Sequence, residues 1–141
     1  MRRVAEGGVL ILPAALCAQL LAQARAVFPA ECCGLLEGVW DGQGVTVSAI
    51  HLSANLSPTP KTAFEIDPAL HFRLLRGLRR TGRDVVGCYH SHPTGKAQPS
   101  SRDRANGCED GFVWVIVATG VNDTLAAFQG PLFQPLAIKT A

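Results

Sequence analysis

Apolar positions along this chain switch between two periods. The run "GVLILP" reads as a short strand, and Pro13 then sits where a helix can begin, because a first-turn proline sacrifices no intrahelical hydrogen bond. Leu16, Leu20, Leu21 and Val27, with alanines between them, predict an amphipathic helix over about Ala14 to Phe28, closed by Pro29. "CCGLLEGVW" and "GVTVSAIHL" read as two strands, and the glycines and aspartate of the intervening "DGQG" favour a tight hairpin connection. "ANLSPTPKTA" is rich in turn residues and reads as an irregular surface loop, followed by a strand fragment, "FEI". Asp67 as N-cap and Pro68 in the first turn predict a second helix from Pro68 to about Thr81, ended by Gly82, with Leu70, Leu74, Leu75 and Leu78 on its buried face. "DVVGCYH" is a β-branched, apolar strand, and "SSRDRANG" a short helix with Ser100 as its N-cap. "FVWVIVATG" is apolar throughout, the mark of a central strand buried on both faces. "TLAAFQ" and "LAIK" add strands at an edge.

Helices alternating with apolar strands indicate an α/β fold, and the hairpin makes its sheet mixed. Residues 1–141 suit one domain, long enough to bury a core without staples. Nearly half the residues are hydrophobic, yet the longest run, "FVWVIVA", is strand-sized, far short of the roughly 18 apolar residues that cross a bilayer. "MRRVAEGG" carries no following apolar region of the secretory kind, so the expectation is a soluble, cytoplasmic protein. A net charge of +2 is too small to argue for nucleic acid. The cysteines Cys17, Cys32, Cys33, Cys88 and Cys108 are odd in number and lack C-x-x-C spacing, which suggests reduced thiols; Cys32 and Cys33 read as small buried apolar residues.

Composition says little about chemistry; the stretch "GCYHSHPTGKAQPSSRD" says more. Side chains two apart on an extended strand share a face, so His90 and His92 can offer imidazoles to one point while Ser91 points away. If Ser100 opens a helix, Asp103 lies on its first turn, and the loop between is long enough to fold that helix back over the strand end. Two histidines and an aspartate suit zinc and leave a fourth position for water. The pair of histidines by itself does not exclude a polar loop at a strand end, which is the commoner case.

The complete constellation resembles a known family. His90, His92, Pro93, Pro99, Ser100 and Asp103 reproduce the H-x-H-P-x5-P-S-x-x-D signature of the JAMM (MPN-plus) zinc metalloproteases, and "ECCGLL" matches the family's upstream E-x-C-G-L-L context. "AFEIDP" looks like its pre-helix segment. The resemblance implies a curved mixed sheet flanked by helices, related to the cytidine deaminases, although the deaminases' own H-x-E and P-C-x-x-C are absent here. It implies one Zn²⁺ held by His90, His92 and Asp103, and Glu31 as the general base of a metal-activated water, a role that spacing alone cannot assign. Ser100 would hydrogen-bond the water or the oxyanion. Glu65 is a competing base outside the motif.

The family's substrates imply a partner: a ubiquitin-like or sulfur-carrier protein, cleaved after its C-terminal Gly-Gly tail. No long insertion of the kind that reads a second ubiquitin is evident, which favours a small carrier. "NLSPTPKTAF" is a candidate flanking loop, and an extended tail could add to a sheet edge. A metal-free binding scaffold and a zinc amidase for small molecules are the alternatives. Arg73, Arg76, Arg80 and Arg83 form a stripe on the second helix, either a solvated face or a docking surface for an acidic partner. His71 falls on the leucine side of that helix and reads as packed; His51, on the hairpin, has no assigned role.

Overall fold

The computed structural model describes residues 8–107, 109–120 and 122–140; Cys108 and the residues before Gly8 lie outside that set. β1 (Val9–Ile11) leads through Pro13 into α1 (Ala14–Val27), and β2 (Cys33–Trp40) and β3 (Gly44–Ser53) form the expected hairpin. In its turn the Asp41 carboxylate accepts the Gln43 and Gly44 amides at 2.9 and 2.7 Å. α2 (Pro68–Gly77) follows the irregular loop, with Asp67 accepting the Ala69 amide. β4 (Asp84–His92), α3 (Ser101–Asn106), β5 (Val113–Ala118), β6 (Thr124–Gln129) and β7 (Gln134–Lys139) complete the order.

The strands close into a barrel in the order β1-β3-β2-β4-β5-β6-β7, and the sheet is mixed as expected. β4 and β5 run parallel, which requires the crossover that carries α3. Strand alternation then sorts side chains onto two helices. Leu36, Val86, Tyr89 and Val115 face a cluster with Leu20 and Ala24 of α1, while Leu35, Cys88 and Trp114 face Leu70 and Leu74 of α2 and Leu78 just beyond it. β5 is buried along its whole length between β4 and β6, as its continuous apolar run implied.

Several expectations need correction. β7 is not an edge, because its far side pairs with β1 and closes the barrel. "FEI" contributes only an isolated bridge between Asn55 and Ile66. α2 stops at Gly77, because the Thr81 hydroxyl binds the Leu78 carbonyl at 2.7 Å and Arg80 turns to a φ of 63°. The arginine stripe is therefore broken: Arg73 and Arg76 stay on the helix, whereas Arg83 turns to donate to Glu37 at 2.7 Å. His51 Nε2 donates to the same carboxylate at 2.9 Å, which gives it a structural partner. Burial raises the Glu37 pKa, but His51 and Arg83 more than offset this and hold it below its ordinary value. Val27 and Leu75, expected on buried faces, are each 44 % exposed. The described cysteines are free thiols, and burial pushes Cys33 up to about 12. No described helix is long and apolar enough to cross a membrane.

The glycine of "ECCGLL" has a packing reason. A Cβ on Gly34 would sit 2.3 Å from both the His51 carbonyl oxygen and the Tyr89 hydroxyl, whose own hydrogen bond to Gln23 is 2.6 Å long. Gly34→Ala is accordingly expected to destabilise the fold by about 1–3 kcal/mol through overpacking. Denaturant unfolding would show this as a lower midpoint at unchanged slope.

Candidate metal centre

β4 delivers two histidines to one face at its C-terminal end, and α3 brings a carboxylate over them. The Nε2 atoms of His90 and His92 are 2.8 Å apart, and Asp103 Oδ2 lies 3.1 Å from the first and 3.2 Å from the second. Their residues are buried, His90 completely. The helix that carries Asp103 is set by a reciprocal cap. Ser100 Oγ accepts the Asp103 amide at 3.0 Å, and Asp103 Oδ2 accepts the Ser100 amide at 2.9 Å. The expected N-cap and the expected carboxylate are thus one device.

Electrostatics follow from this geometry. Burial raises the Asp103 pKa, but the two imidazoles and the Ser100 amide overcome it and hold the carboxyl well below the usual carboxylate range. Burial pushes His90 down despite Asp103 beside it, favouring the neutral ring. Burial also lowers His92, but Asp103 and the Lys96 carbonyl outweigh it and the net shift is upward.

Ring orientation supports metal ligation. His92 Nδ1 is 3.0 Å from the Lys96 carbonyl, an acceptor only, so Nδ1 carries the proton and the neutral ring presents a lone pair at Nε2. His90 is held by packing instead: its ring stacks on Phe64 at 4.2 Å and meets Trp114 edge-on, while its buried Nδ1 has no partner among the described residues. Tetrahedral N and O ligands at the usual zinc distances stand about 3.3 Å from one another. The three atoms here are spaced at 2.8–3.2 Å, so the donor set fits a small divalent ion after slight outward movement.

Glu31 joins them from far upstream. Cys33 pairs with His90 across β2 and β4, and the hairpin-side loop clamps the preceding residues. The Glu31 amide donates to the Pro60 carbonyl at 2.7 Å, and Asn55 Nδ2 donates to the Glu31 and Ala63 carbonyls, both at 3.0 Å. Ser91 is more than a spacer: its Oγ accepts the Cys32 amide at 2.7 Å, and its own amide donates to the Cys32 carbonyl at 3.0 Å. One Glu31 oxygen lies within 4.8 Å of the imidazole nitrogens, so spacing alone admits it as a ligand. Asp103 is the nearer carboxylate. The Glu31 side chain has no hydrogen-bond partner among the described residues and lines a pocket of about 190 Å³ with His92, Ser100, Arg102 and Asp103. Burial pushes its pKa up to about 7, with His92 and Arg102 pulling down and Asp103 pushing up.

Glu65, the competing base, is exposed and lines a neighbouring pocket with Pro68, His71 and Trp114 instead. Asn55, Ser91 and Phe64 were not singled out from sequence. Ser91 lies between the two histidines and Phe64 within "AFEIDP", but nothing in their spacing shows what they touch.

The family model for prokaryotic homologs of the JAB domain matches residues 13–129. A desampylase from Haloferax volcanii is 36 % identical over 110 residues, 78 % of each chain. A CysO-cysteine peptidase from Mycobacterium tuberculosis is 28 % identical over 111 residues, covering 79 % of this chain and 74 % of its own. A solved JAB1/MPN domain protein from Archaeoglobus fulgidus superposes with a TM-score of 0.59 at 18 % identity, over 94 % of this chain and 98 % of its own, which shows the fold. The chain belongs to the prokaryotic JAB-domain family, and its fold is the MPN/JAB α/β fold.

Proposed function

We propose that this chain, acting as one domain over residues 1–141, is a zinc-dependent peptidase or isopeptidase. Its substrate would be a ubiquitin-like or sulfur-carrier protein, hydrolysed after the C-terminal Gly-Gly. One observation carries the reading: two imidazole nitrogens and the Asp103 carboxylate converge within 3.2 Å beside a second, unengaged carboxylate in the same pocket. The kinship with a desampylase and a CysO-cysteine peptidase supports it.

His90, His92 and Asp103 would hold the ion. When bound, zinc supplies Lewis acidity, easing deprotonation of water and polarising a carbonyl. Glu31 takes the proton of the attacking water and returns it to the leaving amine. Burial pushes the Glu31 carboxyl up from its ordinary value while a cation bound beside it would pull it down, and with no hydrogen-bond partner among the described residues its oxygens stay free to take and return that proton. It serves better as base than as ligand, because Asp103 already sits against both imidazoles. Ser100 Oγ receives the Asp103 amide, which leaves its hydroxyl proton free to point into the pocket at a developing oxyanion.

Ser100→Ala is expected to lower kcat by about 10²–10³-fold through that lost donor. Its loss as N-cap costs a further ~1 kcal/mol of stability, so kinetics and unfolding must be measured on the same preparation. The function itself is tested by incubating zinc-loaded protein with carriers extended beyond Gly-Gly and reading intact masses. Products ending at the second glycine support it; untouched carriers alongside turnover of small amides would point to a small-molecule amidase instead.

A further inference from the structure

One amide side chain reaches both the metal ligands and the base. Asn55 lies just beyond β3 and bridges to Ile66 across the loop that precedes α2. Its Nδ2 donates to the Glu31 and Ala63 carbonyls, and its Oδ1 accepts the Ser57 and Glu65 amides, all four at 3.0 Å. These bonds use every donor and acceptor that an asparagine side chain has. Ala63 and Glu65 flank Phe64, so the same group fixes the backbone on both sides of that ring. Phe64 in turn stacks on His90, with centroids 4.2 Å apart and planes 18° from parallel, and Trp114 meets both rings edge-on at 5.9 Å. His92 Nδ1 has the Lys96 carbonyl, whereas the buried His90 Nδ1 has no partner among the described residues. The Phe64 ring therefore orients His90 where a histidine ligand ordinarily has a hydrogen bond.

We infer that Asn55 is a positioning residue with two arms: it sets the ligand His90 through Phe64 and the base Glu31 through its carbonyl, so that metal affinity and proton transfer depend on one amide group. This rests on the peptidase reading, in which His90 holds zinc and Glu31 moves the proton. The arms are separable. Freeing Phe64 lets the His90 ring leave the orientation in which its Nε2 faces Asp103, and zinc binding weakens. Freeing the Glu31 carbonyl shifts the base while the ligands stay in place, and proton transfer slows.

The test is a double-mutant cycle on zinc affinity, read by chelator competition on protein held well below its unfolding midpoint. N55L replaces the amide by methyls of similar shape, and F64L removes the stacked ring. F128L is the control, because Phe128 packs in the same apolar cluster as Phe64 but its ring meets Phe133 and not His90. N55L and F64L are each expected to weaken zinc binding about tenfold or more. N55L adds little in the F64L background and keeps its full effect in the F128L background. At saturating zinc, N55L lowers kcat about tenfold or more in all three backgrounds, since the Glu31 arm bypasses Phe64. Zinc binding by N55L or F64L equal to that of the wild-type protein, an F128L loss as large as that of F64L, or additive N55L and F64L losses would overturn the inference while leaving the peptidase intact. NMR of the unaltered protein checks the stacking even where a variant does not fold. His90 ring protons upfield of those of free imidazole, with and without zinc, are expected, and unshifted ones would overturn the inference. Wild-type protein that binds no zinc would overturn the peptidase reading itself.

Discussion

Glu31→Gln is expected to lower kcat for a Gly-Gly-extended carrier by about 10²–10⁴-fold while the protein keeps its zinc. The substitution preserves shape and burial but removes the only carboxylate in the pocket without a hydrogen-bond partner among the described residues. The backbone of Glu31 is fixed independently of its side chain, by Pro60, Asn55 and the Cys32–Ser91 bridge, so the position of residue 31 persists in the variant. Because no charge then remains to accept the water proton, the loss falls on kcat more than on KM. Metal analysis of the same sample separates the loss of a base from the loss of a ligand. Zinc near one equivalent with little turnover is the expected pair of results; normal turnover would show that the base lies elsewhere.

Asp103→Asn is expected to have the opposite signature, with zinc and activity lost together. The Asp103 oxygen nearest both imidazoles also accepts the Ser100 amide, and an asparagine carbonyl can keep that cap. The neutral amide is a poor ligand for zinc, which takes histidine nitrogen, thiolate or carboxylate. Zinc affinity is expected to fall by well over the 10–100-fold typical of losing a mere supporting contact. Metal titration at neutral pH reads this directly. Metal-free unfolding should show a lower midpoint near neutral pH, because the imidazoles and the Ser100 amide that hold the Asp103 carboxyl below its ordinary value stabilise the fold through its charge, which asparagine lacks.

Local chemistry was legible in the sequence, and closure was not. β4, its loop and α3 are contiguous, so the strand period placed His90 and His92 on one face and the capping pattern placed Asp103 on the first turn. The barrel depends on β1, three residues long, pairing with β3 and β7 from opposite ends of the chain, and no local pattern announces such contacts. α2 was read too long because its leucine spacing continues to Leu78, whereas the Thr81 hydroxyl ends the helix by binding a carbonyl. Glu31 was nameable only through the family resemblance. Its place beside the histidines comes from the Cys33–His90 register, a long-range pairing, and from Asn55, an unremarkable residue in a turn-rich loop.

The division of labour between Asp103 and Glu31 is tested most directly by anomalous diffraction at the zinc edge from crystals of the zinc-loaded protein. A single peak bounded by His90 Nε2, His92 Nε2 and Asp103 Oδ2, with the Glu31 carboxylate outside bonding distance, is expected. No peak between these residues, or a peak ligated by Glu31 in place of Asp103, would contradict it.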